Sequence, residues 1–155
     1  MDEGDALLYL DSGDVFHGNI RSLIRNVMSA HDILLTIGHN EQKKYCKRDA
    51  FYFMGCDSEE YWNNMQIEAG MIIIKNTQRM RELVWEWLHY CCNPNILTDI
   101  PNICGEDNFP EFIDHRHDQA VLNNLKVKYN LPESDIIRQY TQGNYDPKIH
   151  THIKF

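Results

Sequence analysis

The stretch Asp114-His115-Arg116-His117-Asp118-Gln119 is the densest set of reactive side chains in this sequence. It places two imidazoles, a guanidinium, two carboxylates and an amide within two helical turns of one another. A carboxylate at a helix start can serve as a general base toward a hydroxyl. Two imidazoles in H-x-H spacing can bind zinc. Asp118 can equally be a helix cap with solvated neighbours, and a capped helix N-terminus is also a good place to hold a sugar hydroxyl or a phosphate.

A second acidic set, Asp11-Ser12-Gly13-Asp14, follows the apolar run Ala6-Leu7-Leu8-Tyr9-Leu10. Carboxylates at the carboxyl edge of a sheet suit a hard cation that bridges diphosphate oxygens, because Mg²⁺ and Mn²⁺ prefer oxygen ligands. The same residues are turn formers. In Gln66-Ile67-Glu68-Ala69-Gly70-Met71, a glycine opens an apolar strand, which permits either close packing or a ligand near the backbone. Lys43, Lys44, Lys47 and Arg48 form a basic cluster that reads as a phosphate contact or a solvated loop. His150 and His152, near the end of the chain, could complete a metal site made of distant residues or belong to a frayed tail.

The elements that must position these groups follow from periodicity. Ala6 to Leu10 reads as a strand buried on both faces, as in a parallel sheet. Ile20, Leu23, Ile24, Val27 and Met28 make the apolar stripe of a helix. Asp32 to Ile37 reads as a second buried strand ended by Gly38, so the opening is βαβ-like. Residues 41–48 read as a loop. Asp49 is placed to cap a short helix, and Asp57 to Glu60 start another helical turn. Met65 to Lys75 reads as a strand. Asn76 or Thr77 caps the clearest helix, with Met80, Leu83, Val84, Trp87, Leu88 and Cys91 at spacings of three and four, stopping at Asn93-Pro94. A loop over 93–114 leads to a helix with Asp118 near its start, and Ile136-Ile137 reads as a last short strand. No repeat or linker divides the sequence, so residues 1–155 read as a single domain.

Composition narrows the function. The chain has 155 residues and a formal charge of −8, which argues against general binding of nucleic acid. No apolar run approaches the roughly 20 residues needed to span a bilayer. Five cysteines without a C-x-x-C pair read as reduced thiols, and a cytoplasmic location is expected.

Taken in order, L-L-Y-L-D-S-G, Q-I-E-A-G-M-I-I-I-K and H-R-H-D-Q-A-V-L-N-N-L resemble the D-x-D strand and turn, the donor-sugar strand and the D-Q-x-x-L-N helix start of nucleotide-sugar glycosyltransferases of the GT-A fold. The resemblance runs over about residues 6–130. In this sequence Gly13 stands where the second acid of D-x-D falls, with Asp14 one residue later, and Glu68-Ala69-Gly70 stands where the family has Asn-Ser-Gly. The resemblance implies an α/β, Rossmann-like mixed sheet flanked by helices, without the N-terminal strands that cradle the nucleotide base. It implies transfer of a sugar from a nucleoside-diphosphate donor to a glycan or other hydroxyl acceptor, assisted by Mn²⁺ or Mg²⁺. Asp118 and Gln119 would be catalytic, with Asp118 the general base in an inverting enzyme, or Asp118 or Gln119 orienting the sugar in a retaining one. Glu68, Gly70, Lys47, Arg48, Arg116 and His117 would bind substrate. Asp11, Asp14, His150 and His152 would hold the metal. A non-catalytic carbohydrate- or nucleotide-binding remnant, and a zinc module of histidines and cysteines, are the alternative expectations.

Overall fold

In a computed structural model, the described residues are 1–12, 14 and 19–137. Three strands and six helices lie among them. Strand β1 is Ala6–Leu10, helix α1 Ile20–Ala30, strand β2 Ile33–Glu41, helix α2 Arg48–Phe53, helix α3 Glu59–Trp62, strand β3 Met65–Lys75, helix α4 Gln78–Cys91, helix α5 Pro94–Leu97 and helix α6 His117–Tyr129. A 3₁₀ turn, Gln42–Lys44, precedes α2.

The sheet has the order β1-β3-β2, and both outer strands run antiparallel to β3. β1 and β2 therefore point the same way, as a βαβ opening requires, but β3 lies between them. The expected mixed sheet is antiparallel over the described residues, apart from one parallel bridge between Leu35 and Glu133. β1 is not buried on both faces either. It lies at the sheet edge, where Leu7 and Tyr9 stay about half exposed. Its alternation does the work of an edge strand, since Leu8 and Leu10 pack inward while Leu7 and Tyr9 face the other side.

Two apolar layers sandwich the sheet. On one face Leu34, Met71 and Ile73 pack against Leu23, Val27 and Met28 of α1, with Ile137 fully buried among them. Ile136 and Ile137 thus act as an anchor and not as the expected strand, since both lie in a turn. On the opposite face Ile33, Leu35, Ile67 and Ile72 meet Met80 and Leu83 of α4 and Leu122 and Leu125 of α6. A third cluster under α2 and α5 joins Phe51 and Ile96 to Val121. Helix α4 begins as its sequence dictates. The Thr77 side chain accepts from the Met80 N–H, satisfying one of the amides a helix start leaves unpaired.

Two irregularities in the β2–β3 ladder shape everything downstream. Between the pairs Leu35–Ile72 and Thr36–Glu68, β2 advances by one residue and β3 by four, so Ala69, Gly70 and Met71 bulge out. Thr36 Oγ1 donates to the Met71 carbonyl at 3.1 Å and pins the bulge. Between Ile37–Ile67 and Glu41–Met65 the excess passes to β2. Gly38, expected to end β2, instead lies inside it at this second bulge. The reason is close approach, because a Cβ there would stand 2.4 Å from the Gln66 carbonyl oxygen.

A chain of buried amides ties the sheet to α6. Gln66 Nε2 donates to Gln42 Oε1, and Gln42 Nε2 donates to the Ala120 carbonyl and to Asn124 Oδ1. Asn123 Oδ1 accepts the Ile67 N–H at 3.1 Å. Gln42 is completely buried, which is tolerable only because both ends of its amide are paired.

Beneath α2 lies a charged counterpart. Lys47 is almost wholly buried, and its ammonium donates to the Thr98 and Ile100 carbonyls and lies 3.8 Å from Asp49. Asp49, expected to cap the helix, lies inside its first turn with Lys47 at the cap position, and its carboxylate instead accepts the N–H groups of Ile103 and Cys104. His115 completes this layer: its Nδ1 accepts the Lys47 backbone N–H, and its Nε2 faces the Ile96 carbonyl at 2.8 Å. Burial pushes the His115 imidazole down to about 4 from its ordinary 6.5, against the pull of the Ile96 carbonyl. The unfolded chain takes up this proton below about pH 6.5 and the folded chain only near pH 4. Stability is therefore flat above that window and falls as the pH drops through it, by up to about 3 kcal/mol. Urea unfolding followed from pH 7 to pH 4 should show a steeper loss for the wild type than for His115→Gln, and equal slopes would refute the assignment.

Candidate functional site

Three segments far apart in sequence meet at the bulge of β3. Asp11 follows the last residue of β1, and its N–H donates to the Gly70 carbonyl at 2.9 Å. Its carboxylate lies over Gly70, so that a Cβ at position 70 would be only 2.7 Å from Asp11 Oδ2. The other carboxylate oxygen accepts the Tyr9 hydroxyl at 2.9 Å. Asp14 closes the turn by donating its N–H to the Asp11 carbonyl.

The third segment is the start of α6. Gln119 Oε1 accepts the Ala69 N–H, one of the amides the bulge frees from the ladder, and Gln119 Nε2 donates to Gln66 Oε1. The preceding Asp118 is exposed. Its carbonyl, not its carboxylate, takes the Trp87 indole N–H at 3.0 Å, and the residue lines the cleft between α4, α6 and the sheet. The backbone turns sharply into the helix here. His117 has φ of +46°, a conformation that non-glycine residues seldom adopt.

The cleft holds about 310 Å³ and is lined by Tyr9, Ala69, Ile72, Val84, Trp87 and Asp118, among others. Tyr9 registers both acids. Its hydroxyl pKa is raised first by its hydrogen bond to Asp11, then by the Asp11 charge and burial, and last by the charge of Asp118. Tyr9 thus joins Asp11, which its hydroxyl bonds directly, to the cleft that it lines together with Asp118.

The other expected substrate contacts, Glu68 apart, lie elsewhere. Glu68 is on β3 opposite Thr36, just before the bulge. Lys47 and Arg48, read as phosphate contacts, are committed to the fold. Lys47 holds the 98–100 loop from a buried position, and Arg48 pairs with Asp57 at 3.0 Å while lying over the Trp62 and Phe109 rings. Arg116 lies over the Tyr45 ring and pairs with Asp114. His117 pairs with Asp99 at 3.1 Å on a separate cleft lined also by Asn102 and Phe112.

Among the described residues, no group of three His, Cys, Asp or Glu side chains could hold a metal ion. The donors near the bulge, Asp11 with Asp14 in the same turn, are oxygens of the kind a hard cation takes. His150 and His152 lie outside the described residues. For the zinc alternative, both ring nitrogens of His115 are already engaged. The thiols of Cys46 and Cys56 are pushed up by burial, Cys56 to about 12, which disfavours the thiolate that zinc requires.

Sequence reasoning missed Tyr9 and Trp87 as cleft residues and Gln66 as the support of Gln119. Tyr9 could have been found from the alternation of β1, since it lies two residues before Asp11. The others depend on which helix covers which strand. Comparison with protein-family models, curated proteins and solved structures gives no match for this chain. What the structure defines is an α/β class, a small antiparallel sheet between helical layers, with no helix among the described residues long and apolar enough to cross a membrane.

Gly70 supplies a direct test of the bulge. Gly70→Ala drives a methyl group against the exposed tip of Asp11, which can swing aside. Stability should change by less than about 1 kcal/mol, as for an accommodated surface change. Any reaction that needs Asp11 in place should fall roughly 100-fold, the scale set by a displacement of about 1 Å. A parallel loss of both would place Gly70 in the packing alone.

Proposed function

We propose that this chain is a sugar-transfer domain of the GT-A type. It would use a nucleoside-diphosphate sugar as donor and a glycan or other hydroxyl compound as acceptor. The observation that supports this best is the convergence of Asp11, Gly70 and the Asp118-Gln119 helix start at the β3 bulge. These are the three segments whose order suggested such a transferase.

In this reading Asp118 accepts the proton of the acceptor hydroxyl as it attacks the anomeric carbon. Gln119 is a positioning residue, holding α6 to the bulge through Ala69 and Gln66. Tyr9 orients the Asp11 carboxylate. Mn²⁺ or Mg²⁺ belongs to the reading, held by Asp11 with Asp14, and would supply neutralisation of the leaving diphosphate. A cytoplasmic setting is part of it too, supported by five free cysteines.

The full chain, incubated with Mn²⁺ and a panel of uridine, guanosine and cytidine diphosphate sugars, should release nucleoside diphosphate from at least one of them. Saturable donor binding without release would favour the second reading, a carbohydrate- or nucleotide-binding domain. That reading draws on Asp11 already spending one oxygen on Tyr9. Absence of both release and binding would overturn the proposal.

A further inference from the structure

The outer edge of β1 offers main-chain hydrogen bonds whose chemistry does not require the transferase reading, although the apolar surface beside it shares Leu7, Ile74 and Val84 with the cleft described above. Hydrogen bonds at both ends of the strand fix its phase. Asp11 donates to Gly70, and Asn76 donates to the Asp5 carbonyl, so these are hydrogen-bonded pairs of the antiparallel ladder. By alternation Leu7 and Tyr9 also bond toward β3, while Ala6, Leu8 and Leu10 aim their N–H and C=O groups the other way. Among the described residues no strand lies beyond β1.

Beside this edge runs an apolar trough between β1 and α4. Leu7, Val84 and Ile74 line both the cleft described above and a neighbouring one of about 330 Å³ that continues to Trp85. Leu7 is 49% exposed and Trp85 69%, large apolar side chains beside main-chain groups that no strand among the described residues pairs. The trough gives pockets for alternate side chains, and the edge gives the hydrogen bonds; together they are the two halves of strand addition.

Charge selects the occupant. Asp2, Glu3 and Asp5 precede the strand; Arg81 neutralises Glu3, and Lys75, which also lines the trough, gives its ammonium to the Met28 carbonyl, so Asp2 and Asp5 carry the charge at this end. Asp11 follows it, with Asp118 at the mouth of the cleft. Both ends of the edge are therefore acidic. A second copy of this chain is a poor fit, because antiparallel pairing centred on Leu8 would set Asp5 of one copy against Asp11 of the other.

We propose that the β1 edge binds an extended protein strand with bulky apolar side chains at alternate positions and Lys or Arg at both ends. The partner strand bonds to Ala6, Leu8 and Leu10. Its apolar face fills the trough over Leu7, Val84 and Trp85.

The test uses a fluorescent nine-residue peptide, Lys-Arg-Val-Thr-Phe-Thr-Leu-Lys-Arg, titrated with the full chain and read by anisotropy. Saturable binding is expected. N-methylation of the amides on the pairing side should weaken it about tenfold or more, through loss of main-chain bonds. Replacing the basic ends with Glu, or Trp85→Arg in the protein, should weaken it similarly. No binding, or binding indifferent to N-methylation and to charge reversal, overturns the proposal. So does light scattering that shows a dimer whose formation the Ala6→Pro variant abolishes, since that change removes an outward N–H of the exposed Ala6 without touching the core, and the edge would then serve self-association.

Discussion

Replacing Asp118 with Asn should lower the turnover of any responsive donor–acceptor pair by about 1,000-fold, within the range for loss of a general base. The fold should survive. Asp118 is exposed, and the contact that its residue makes with Trp87 runs through the backbone carbonyl, which Asn retains. Its acidic side chain stands in the first turn of α6, so removing the charge forfeits at most about 1 kcal/mol of helix-dipole stabilisation. The prediction is thus a separation: kcat collapses, the melting curve barely moves, and KM for the donor changes little. Trp87→Phe is the complementary control, since it removes the indole N–H that anchors the Asp118 carbonyl. A wild-type rate in Asp118→Asn would remove the acid from the mechanism and leave the cleft as a binding site.

Gly38→Ala should have the opposite signature. A Cβ at position 38 would stand 2.4 Å from the Gln66 oxygen and 2.9 Å from its carbonyl carbon. These are backbone atoms of the neighbouring strand, so relief requires the two strands to part at the second bulge. Parting them strains the Ile37–Ile67 pair and the Gln66–Gln42 bond at once. A loss of about 3 kcal/mol is expected, the upper range for overpacking. It should be read as a lower urea midpoint with an unchanged m value. A midpoint equal to wild type would mean that β2 and β3 do not approach as closely as described. The contrast with Gly70→Ala is physical, because there the neighbour is the free end of an exposed carboxylate and here it is a ladder carbonyl.

These two residues also mark where sequence reasoning succeeds and where it stops. The bounds of β3, Met65–Lys75, and the Thr77 cap of α4 follow from apolar periodicity and from a hydroxyl residue at the right place. The stripe of α1 is equally local. Gly38 read as a strand end because glycine usually punctuates. Its real role, letting Gln66 come close, is set by a residue on another strand. The burial of Lys47 was invisible for the same reason. A lysine beside other basic residues looks solvated until the 98–104 loop and Asp49 close over it.

The sequence by itself determined most of the order of elements, the Thr77 cap of α4, the acidic turn after β1 and the dense polar start of α6. All of these depend on residues within one or two turns of each other. Only the tertiary structure decided that β3 runs between β1 and β2, that three residues bulge from it, and that Asp11, Gly70, Gln119 and Asp118 gather at that bulge. Strand register and the freed Ala69 amide arise from pairings across tens of residues, and no local pattern specifies which carbonyl a given amide will meet. The same long-range pairing puts β1 at the sheet edge, with no strand beyond it among the described residues, a placement the linear pattern did not announce.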